Sequence, residues 1–430
     1  MDRWLIPATV LLIVLAVAFP VLFIVYGALV ALVGLSAAYN AAWLPGPYLS
    51  LLEGCDGLRL NWLCSSKGKN GGNTSCVAIT KDGAVVKVIM PDRVEKNLPG
   101  GNFTIQSAPI TGLVAGERYK YRVEIAGGRG RSKVAWGGRG SWFFFPGKER
   151  RPHDGKTRIA ALGDMQPKSI MPPVLQATIM HKVRRSKPDL FIYLGDHTNT
   201  GNDTRAWFWY IRLIGIVARN TPVIGTPGNH DAMKKNASSA ISGNDVYSKF
   251  VNYPGNRRYY HVKIGGIHLV SLDYQDSIAP GTPQHRFMAN VLQEHTITPD
   301  EWLLVFSHST PYNTAIKPTN VPPTIAEMRA HVKPLIEKHR VMWLGGHEHA
   351  YQKFTVDGVH YITTAATSSF HDHDNSREFM DVNVKRFHFV LIDVIAEEMH
   401  VRAIPLTGKA IDDFSIQSNI PIGAKAQVLA

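Results

Sequence analysis

Two histidines that follow an apolar segment are the clearest candidates for chemistry in this sequence. The stretch Trp343–Tyr351 begins as an apolar strand and runs into two glycines and then into His347 and His349, which are separated by one residue. On an extended chain, residues i and i+2 point to the same side, so both imidazoles can face one point. Such pairs are also common on protein surfaces, so by itself this pair indicates a metal site only weakly.

Four further apolar runs end in residues that bind metals. Each run is rich in β-branched and aliphatic residues, which predicts strands buried on both faces. In an open α/β sheet, ligands collect beyond the carboxyl ends of such strands. The residues that follow the four runs are Asp164, Asp196, Asn229 with His230 and Asp231, and His308. Together with the histidine pair, they predict a set of ligands for two metal ions.

The content and order of these five motifs resemble those of the calcineurin-like metallophosphoesterases, and most closely their purple-acid-phosphatase-like branch. The resemblance extends over about residues 45–405 and is far more specific than any single motif. It implies a two-sheet α/β metallophosphoesterase sandwich. It also implies phosphoester substrates and two divalent or trivalent metal ions, drawn from Fe, Mn and Zn.

The resemblance also implies a role for each motif residue. The implied ligands are Asp164 and His349 for the first metal, Asp196 between the two metals, and Asn229, His308 and His347 for the second. Two metals in such a site lower the pKa of bound water and hold both the attacking and the leaving oxygen. We expect the ligands at exposed strand ends rather than in the core.

Two neighbours of Asn229 are the implied catalytic residues. His230 would lie near the phosphate, where it can stabilise charge or protonate the leaving group. Asp231 either orients His230 or caps a turn. The sequence leaves these two alternatives open.

Two positions depart from the family pattern. Where relatives have a histidine near the first aspartate or a tyrosine after the second, this chain has Gln166 and Asn199. Both offer only an amide oxygen or hydrogen bonds, either to a metal or to its ligands. We therefore expect a weaker first metal site and no tyrosinate–iron colour. Harder ligands favour manganese, iron or magnesium over zinc there.

A polar loop follows the strand after the histidine pair. It spans Ser368–Asp374 and contains His371 and His373. One hypothesis places it over the site, in contact with substrate or a further cation. The other is that it is a solvated polar loop.

The overall charge is strongly positive. The chain has 430 residues, a formal net charge of +13 and a pI of about 9.5, with room for two or three domains. This charge favours anionic substrates, but no basic run is long enough to form a nucleic-acid-binding arm. We expect no nucleic-acid partner.

The amino-terminal segment has no charged residue between Trp4 and Leu52. Its apolar run exceeds the about 20 residues that cross a bilayer and the 7–15 of a signal-peptide core. The downstream glycosylation acceptor patterns are at Asn73, Asn102, Asn202 and Asn236. These features predict a single-pass protein of the cell membrane, with residues 1–43 as an uncleaved transmembrane helix and the catalytic body extracellular. The apolar segment also offers a surface for self-association.

Residues 44–147 show short alternating strands separated by turns rich in glycine and asparagine, which is typical of a β-sandwich. The Tyr48 segment and the strand with Tyr119 and Tyr121 resemble the fibronectin type III-like domain that precedes purple acid phosphatases. We predict an all-β fibronectin type III-like sandwich there. The predicted divisions are an anchor at 1–43, this sandwich at 44–147, the metallophosphoesterase domain at 156–406 and a C-terminal tail at 407–430.

The sandwich segment also holds all three cysteines. They are Cys55, Cys64 and Cys76, which have the number needed for one disulfide and a spare thiol. The catalytic part has none, which excludes a zinc–thiolate site there.

The leading hypothesis is a membrane-anchored, extracellular, metal-dependent phosphomonoesterase of the acid-phosphatase type. A phosphodiesterase or nucleotidase built on the same metals remains an alternative. A surface or filament protein that retains the fold with little activity is a third. Metal analysis coupled to a panel of phosphoesters separates the three.

Overall fold

The computed structural model describes most of the chain between residues 45 and 417. The described residues are 45–65, 75–95, 98, 103–126, 132–136, 141–148, 155–166, 171–231, 246–294, 301–315, 323–337, 339, 341–365 and 369–417. All of them lie in one compact unit, Pro45–Ala430.

Strands dominate the described chain. In chain order they are β1 (Tyr48–Leu51), β2 (Gly57–Ser65), β3 (Ser75–Lys81), β4 (Ala84–Ile89), β5 (Arg93–Glu95), β6 (Phe103–Thr111), β7 (Arg118–Ala126), β8 (Ser132–Trp136), β9 (Trp142–Phe144), β10 (Lys156–Leu162), β11 (Leu190–Tyr193), β12 (Val223–Gly225), β13 (Tyr260–Ile264), β14 (Ile267–Ser271), β15 (Trp302–Phe306), β16 (Val341–Gly345), β17 (Tyr351–Val356), β18 (Val359–Thr364), β19 (Met380–Val384), β20 (His388–Ile395), β21 (Glu398–Pro405) and β22 (Asp412–Gln417).

Helices connect the central strands. They are α1 (Met171–Arg185), α2 (Thr204–Ala218), α3 (Val246–Phe250), α4 (Pro283–Glu294), α5 (Pro323–Glu327) and α6 (Lys333–Ile336). A π-helical turn, Met328–Val332, joins α5 to α6, and a 3₁₀ turn covers Asn229–Asp231. Asp203 caps the start of helix α2, because its side chain accepts a hydrogen bond from the Arg205 amide at 2.9 Å.

The described strands form three sheets. The largest has the order β22-β21-β20-β10-β11-β12-β1-β2-β6-β5. The second has the order β13-β14-β15-β16-β18-β17-β19. The third has the order β4-β3-β7-β8, with β9 also paired to β7. Strand β22 lies within the segment 407–430 that the sequence predicts as a tail.

The strands that precede the predicted ligands lie at the centres of the two larger sheets. Strands β10, β11 and β12 are parallel neighbours in the first sheet, and β14, β15 and β16 are parallel neighbours in the second. Strands β11, β12, β15 and β16 are buried along their whole length, as near-continuous apolar runs predict. An apolar core that includes Trp343, Val305 and Ile325 packs the second sheet against its helices.

The predicted fold class is wrong in its description of the amino-terminal sheets. Strand β1 pairs antiparallel with β2 and parallel with β12, where Ser50 faces Val223. The sheet of the catalytic strands therefore continues into β2, β6 and β5, and these strands do not form a separate fibronectin type III-like sandwich. All four residues of β1 are buried, and a buried strand is stabilised by pairing on both edges. The described chain is a mixed α/β fold with several sheets, and the domain boundaries at 147 and 156 stay a prediction.

The predicted location is also corrected. Within the described part of the chain, no helix combines the length and the apolar composition needed to cross a bilayer. This contradicts the prediction of a transmembrane helix and of a single-pass protein of the cell membrane. The segment for which that helix was predicted, residues 1–43, lies outside the described residues.

The three cysteines are free thiols in the structure. The disulfide that their number permits is therefore not formed among Cys55, Cys64 and Cys76. Burial raises the pKa of the Cys55 thiol to about 11, so this group is a neutral packing side chain at physiological pH.

A buried polar cluster fastens β2 and β6 to the segment after α3. The Asn252 amide donates hydrogen bonds to Asn61 Oδ1 and to Ser107 Oγ, both at 2.7 Å. The Arg93 guanidinium donates to Asn252 Oδ1 and, at 2.8 Å, to the Ser248 carbonyl. Since Asn61 and Ser107 are fully buried, loss of the central amide would leave them without these partners in a place that water does not reach.

We predict that Asn252→Ala lowers the free energy of unfolding by about 1–3 kcal/mol, the cost of leaving buried polar groups unsatisfied. Asn290→Ala is the matched control, because Asn290 is exposed on α4 and its replacement should change stability by less than about 0.5 kcal/mol. Urea unfolding measures both. Equal stabilities of the two variants would show that the hydrogen bonds of Asn252 do not stabilise the packing of β2 and β6 against the segment after α3.

Candidate metal centre

The predicted ligands occupy the turns that follow five central strands. Asp164 follows β10, Asp196 follows β11, Asn229 follows β12, His308 follows β15, and His347 and His349 follow β16. The contacts described below join all six side chains in one cluster. The ligand atoms of Asp164, Asp196 and His308 lie within 4.8 Å of one another. The expectation of exposed ligands is wrong, because His308 is 0% and His347 only 7% exposed.

One half of the cluster surrounds Nε2 of His308. Asn229 Oδ1 lies 3.2 Å from this nitrogen, and Asp196 Oδ1 and His347 Nδ1 each lie 3.3 Å from it. The other ring nitrogen, Nδ1, lies 2.6 Å from the Leu194 carbonyl oxygen. A carbonyl only accepts, so Nδ1 carries a proton and Nε2 is the atom that can bind a metal.

The other half of the cluster lies between β10 and the end of β16. His349 Nε2 is 3.2 Å from Asp164 Oδ1, and the His347 amide donates to Asp164 Oδ2 at 3.1 Å. The Gln166 amide nitrogen donates to Asp196 Oδ2 at 3.0 Å. Its Oε1 is buried and has no hydrogen-bond partner among the described residues. A buried, unpartnered oxygen on a side chain that also donates to Asp196 is an arrangement that a cation would satisfy.

The backbone of the ligand loops is strained. Four ligands have left-handed φ angles: Asp164 at 60°, Asp196 at 54°, His347 at 72° and His349 at 51°. Such angles are uncommon outside glycine and persist where the surrounding structure enforces them. Two glycines let the loops approach, since a Cβ would lie 2.2 Å from Asp196 Oδ1 at Gly228 and 2.5 Å from Asp164 Oδ2 at Gly346.

Burial and neighbouring charges shift the pKa values of the clustered side chains in different directions. Burial alone would lower the pKa of His308, but the Asp196 and Asp164 carboxylates raise it to about 10. Burial would likewise raise the pKa of Asp196, but His308 and His230 hold it below its ordinary value. Burial lowers the pKa of His347 to about 3. A divalent cation would therefore displace a proton from His308 but none from His347.

His230 lies at the more open side of the cluster. Its amide donates to Asp196 Oδ1 at 2.9 Å, and its ring Nδ1 lies 2.9 Å from the Asn199 carbonyl oxygen. Nδ1 must be the donor in that contact. The ring Nε2 lies 3.9 Å from Asp196 Oδ2, and the side chain is 23% exposed. Asn199 thus contacts the His230 ring through the Asn199 backbone carbonyl oxygen.

Asp231 has partners that the sequence did not suggest. Its Oδ2 lies 2.7 Å from Nδ1 of His197, and its Oδ1 accepts the His197 amide at 2.8 Å. These contacts lie behind the metal ligands rather than beside the His230 ring. His197 directly follows Asp196 in the sequence but was not among the predicted site residues.

The histidine-rich loop lies against the end of β16. Ser369 Oγ is 2.8 Å from His349 Nδ1, and the His371 ring stacks on the His349 ring with centroids 3.9 Å apart. His373 Nε2 lies 2.7 Å from the Glu348 carbonyl oxygen. The structure thus places both histidines of the loop beside the segment that carries the histidine pair.

Two further residues of the site escaped sequence reasoning. The Tyr274 hydroxyl donates to Asn229 Oδ1 at 2.8 Å, and its ring lies beside His308 and His347. Glu348 is buried between the two histidines, and burial raises the pKa of its carboxyl to about 7. A signal existed for Tyr274, which follows β14, a parallel neighbour of β15. The sequence did not predict Glu348 as a site residue, because on an extended chain its side chain would point to the side opposite His347 and His349.

Comparison with known proteins agrees with this geometry. Residues 157–351 match the family model described as calcineurin-like phosphoesterase, and that segment contains all six predicted ligands. Probable purple acid phosphatase 20 of Arabidopsis thaliana is 25% identical over 187 residues, which cover 42% of this chain and 43% of the relative. Purple acid phosphatase 21 of the same plant is 22% identical over 181 residues, 41% of each chain. The matches therefore span less than half of each relative.

Solved structures show the same fold over a larger part of the chain. Purple acid phosphatase PPD1 from yellow lupin (Lupinus luteus) seeds aligns with a TM-score of 0.72 at 15% identity, covering 86% of this chain and 74% of that one. PhoD aligns with a TM-score of 0.59 at 14% identity, covering 88% and 91%. Residues 157–351 therefore resemble the calcineurin-like phosphoesterases, the described fold is similar to those of the two solved structures, and the cluster at Asp164, Asp196 and His308 is a candidate site for a metal ion.

Proposed function

We propose that this chain hydrolyses phosphomonoesters at a centre of two metal ions. The observation that carries the proposal is the convergence of nitrogen and oxygen donors from five strand ends, in two sheets, on one buried cluster. Donors so far apart in the sequence meet in this way when they share a ligand. The match of residues 157–351 to the calcineurin-like phosphoesterase model supports the same reaction class.

The donors fit two divalent ions. Asn229, His308 and His347 would hold one, Asp164 and His349 the other, and Asp196 would lie between them. Gln166 Oε1, which is buried and has no hydrogen-bond partner among the described residues, would be a further neutral donor for the ion beside Asp164. When bound, such ions lower the pKa of water and stabilise charge on the phosphoryl oxygens. The mixture of carboxylate, amide and imidazole ligands fits Mn, Fe or Zn.

His230 is the group best placed to serve the leaving oxygen. The Asn199 carbonyl holds the proton on Nδ1 and thereby fixes the ring orientation. Nε2 remains on the open side of the cluster, where the imidazolium form of His230, with a proton on each ring nitrogen, can donate a proton to a leaving oxygen or a hydrogen bond to the phosphate. Asp196 Oδ1 accepts the His230 amide and keeps the ring beside the ligands.

The loop with Ser369, His371 and His373 is the candidate for substrate contact. Ser369 and His371 lie against His349, so a substrate bound at the metal ions would lie close to these two residues. The formal net charge of +13 favours an anionic substrate such as a phosphoester. Self-association through the apolar amino-terminal segment stays a prediction for residues outside the described part.

We predict that His347→Ala lowers kcat/KM for 4-nitrophenyl phosphate by about 100- to 1,000-fold, or about 2.7–4 kcal/mol of transition-state stabilisation. The reason is the loss of a metal ligand. His181→Ala, at an exposed position on α1, is the control and should stay within about twofold of the parent. Steady-state kinetics on metal-loaded protein measures the effect.

Because His347 is buried, circular dichroism must first show that its variant is folded. Parallel assays with bis(4-nitrophenyl) phosphate separate a monoesterase from a diesterase. Unchanged turnover in a folded His347→Ala variant, or no turnover by the loaded parent on either ester, would refute the proposal. The second result would favour a protein that retains the fold without the reaction.

We also predict that Gln166→His tightens the weaker of two Mn²⁺-binding steps by about tenfold, or about 1.4 kcal/mol. A neutral imidazole is a better donor than a carboxamide to such metals. Gln166→Leu should weaken the same step, because it removes the buried oxygen, whereas Gln417→His on exposed β22 should change neither step. Calorimetric titration of the apo protein measures all three, and unchanged steps in both Gln166 variants would show that another residue completes the site.

A further inference from the structure

His197 has no role in the predicted site, yet it is buried directly behind it. Its side chain and that of Asp231 are both fully shielded from solvent, and the two lie 2.7 Å apart. A buried pair of this kind is held only where it makes several hydrogen bonds. The structure provides them on both sides of the pair.

On one side, Asp231 joins two loops. Its Oδ1 accepts the amides of His197 at 2.8 Å and Thr198 at 3.2 Å, in the loop that begins with Asp196. Its Oδ2 accepts the Gly228 amide at 2.8 Å, in the loop that carries Asn229. The carboxylate therefore binds the backbone of both ligand-carrying loops.

A second tie runs in the opposite direction between the same loops. Asp196 Oδ1 accepts the His230 amide at 2.9 Å. Each loop thus supplies a carboxylate that accepts backbone amides of the other. These reciprocal hydrogen bonds hold Asp196 and Asn229 at a set separation, on which the spacing of two bound ions would depend.

On the other side, His197 is held in an aromatic enclosure. Its Nε2 lies 3.0 Å from the Tyr253 hydroxyl, which in turn lies 2.7 Å from the Tyr210 hydroxyl. The rings of Tyr193 and Tyr210 lie with centroids 4.5 and 4.6 Å from the imidazole. These contacts leave the imidazole one orientation, with Nδ1 toward Asp231.

We propose that His197, acting through Asp231, is a positioning residue for the metal centre. It orients the Asp231 carboxylate, which holds the Asp196 loop and the Asn229 loop at the separation that two metal ions require. This inference rests on the proposed metal-dependent function and adds a residue outside the predicted ligand set. Neither His197 nor Asp231 needs to touch the substrate for it.

The test is calorimetric titration of Mn²⁺ into the apo full-length chain, with its parent and two variants at the same position. His197→Phe keeps an aromatic ring in the enclosure but removes both nitrogens. His197→Asn keeps a donor that can reach Asp231. We expect Phe to weaken Mn²⁺ binding by about 10- to 100-fold, as for residues that orient metal ligands, and Asn to restore most of it.

His268→Asn is the matched control, because His268 is also buried but lies on β14, where it contacts Glu301 and His261. It should lower stability without changing Mn²⁺ affinity. A second readout is 4-nitrophenyl phosphate kinetics at saturating Mn²⁺, where we expect kcat of the Phe variant to fall by more than KM rises. A purely structural role would instead lower the melting temperature and leave both readouts unchanged.

Two results would overturn the inference. Equal Mn²⁺ affinity of parent and a folded His197→Phe would show that the pair does not position the ligands. Absence of Mn²⁺ binding by the parent would overturn the proposed metal centre and this inference with it. If His197→Phe does not fold, Tyr253→Phe replaces it, with an expected loss of about threefold from one hydrogen bond to His197, and an unchanged affinity would be equally decisive.

Discussion

The burial of several carboxyl groups at one point governs the arrangement around it. Asp164, Asp196, Asp231 and Glu348 are each no more than 2% exposed. An ionised carboxylate removed from water costs several kcal/mol unless charges or hydrogen bonds replace its hydration. Backbone amides supply part of this replacement, to Asp164 from His347 and to Asp196 from His230. Imidazoles supply another part, and divalent cations would supply the rest.

The strained loops follow from the same requirement. Amide groups reach the carboxylates only if the chain turns sharply just after each strand, and the left-handed φ angles of Asp164 and Asp196 are the result. Such strain costs of order 1–3 kcal/mol per residue. The strands before these turns can hold it, because β10 and β11 are parallel neighbours, each is paired on both edges, and β11 is buried along its whole length. The cost in backbone energy is thus localised at the residues that would bind metal.

Much of the site could be predicted from sequence because its signals are local. An apolar run followed by Asp, Asn or His identifies both a buried strand and the residue at its carboxyl end, and β10, β11, β12, β15 and β16 all formed where these runs predict. The contacts of Asp231 could not be predicted in this way. Its partner His197 lies 34 residues away, and a 3₁₀ turn points three consecutive side chains in different directions.

The fold was harder to predict than the site for a related reason. Alternating strands between residues 44 and 147 indicate a β structure, but not which edge pairs with which strand. The parallel pairing of Ser50 with Val223 joins segments far apart in the chain, so no local pattern reports it. The prediction of a transmembrane helix relied on the apolar composition of residues 1–43 alone, because a sequence does not show what such a segment packs against.

Anomalous diffraction from crystals soaked in Mn²⁺ tests most directly whether two metal ions bind in the cluster. We expect two anomalous peaks, one among Asn229 Oδ1, His308 Nε2 and His347 Nδ1, and a second, weaker one beside Asp164 and His349. Both should lie within ligand distance of Asp196. A single peak elsewhere in the molecule, or no peak among these side chains at saturating Mn²⁺, would contradict the account.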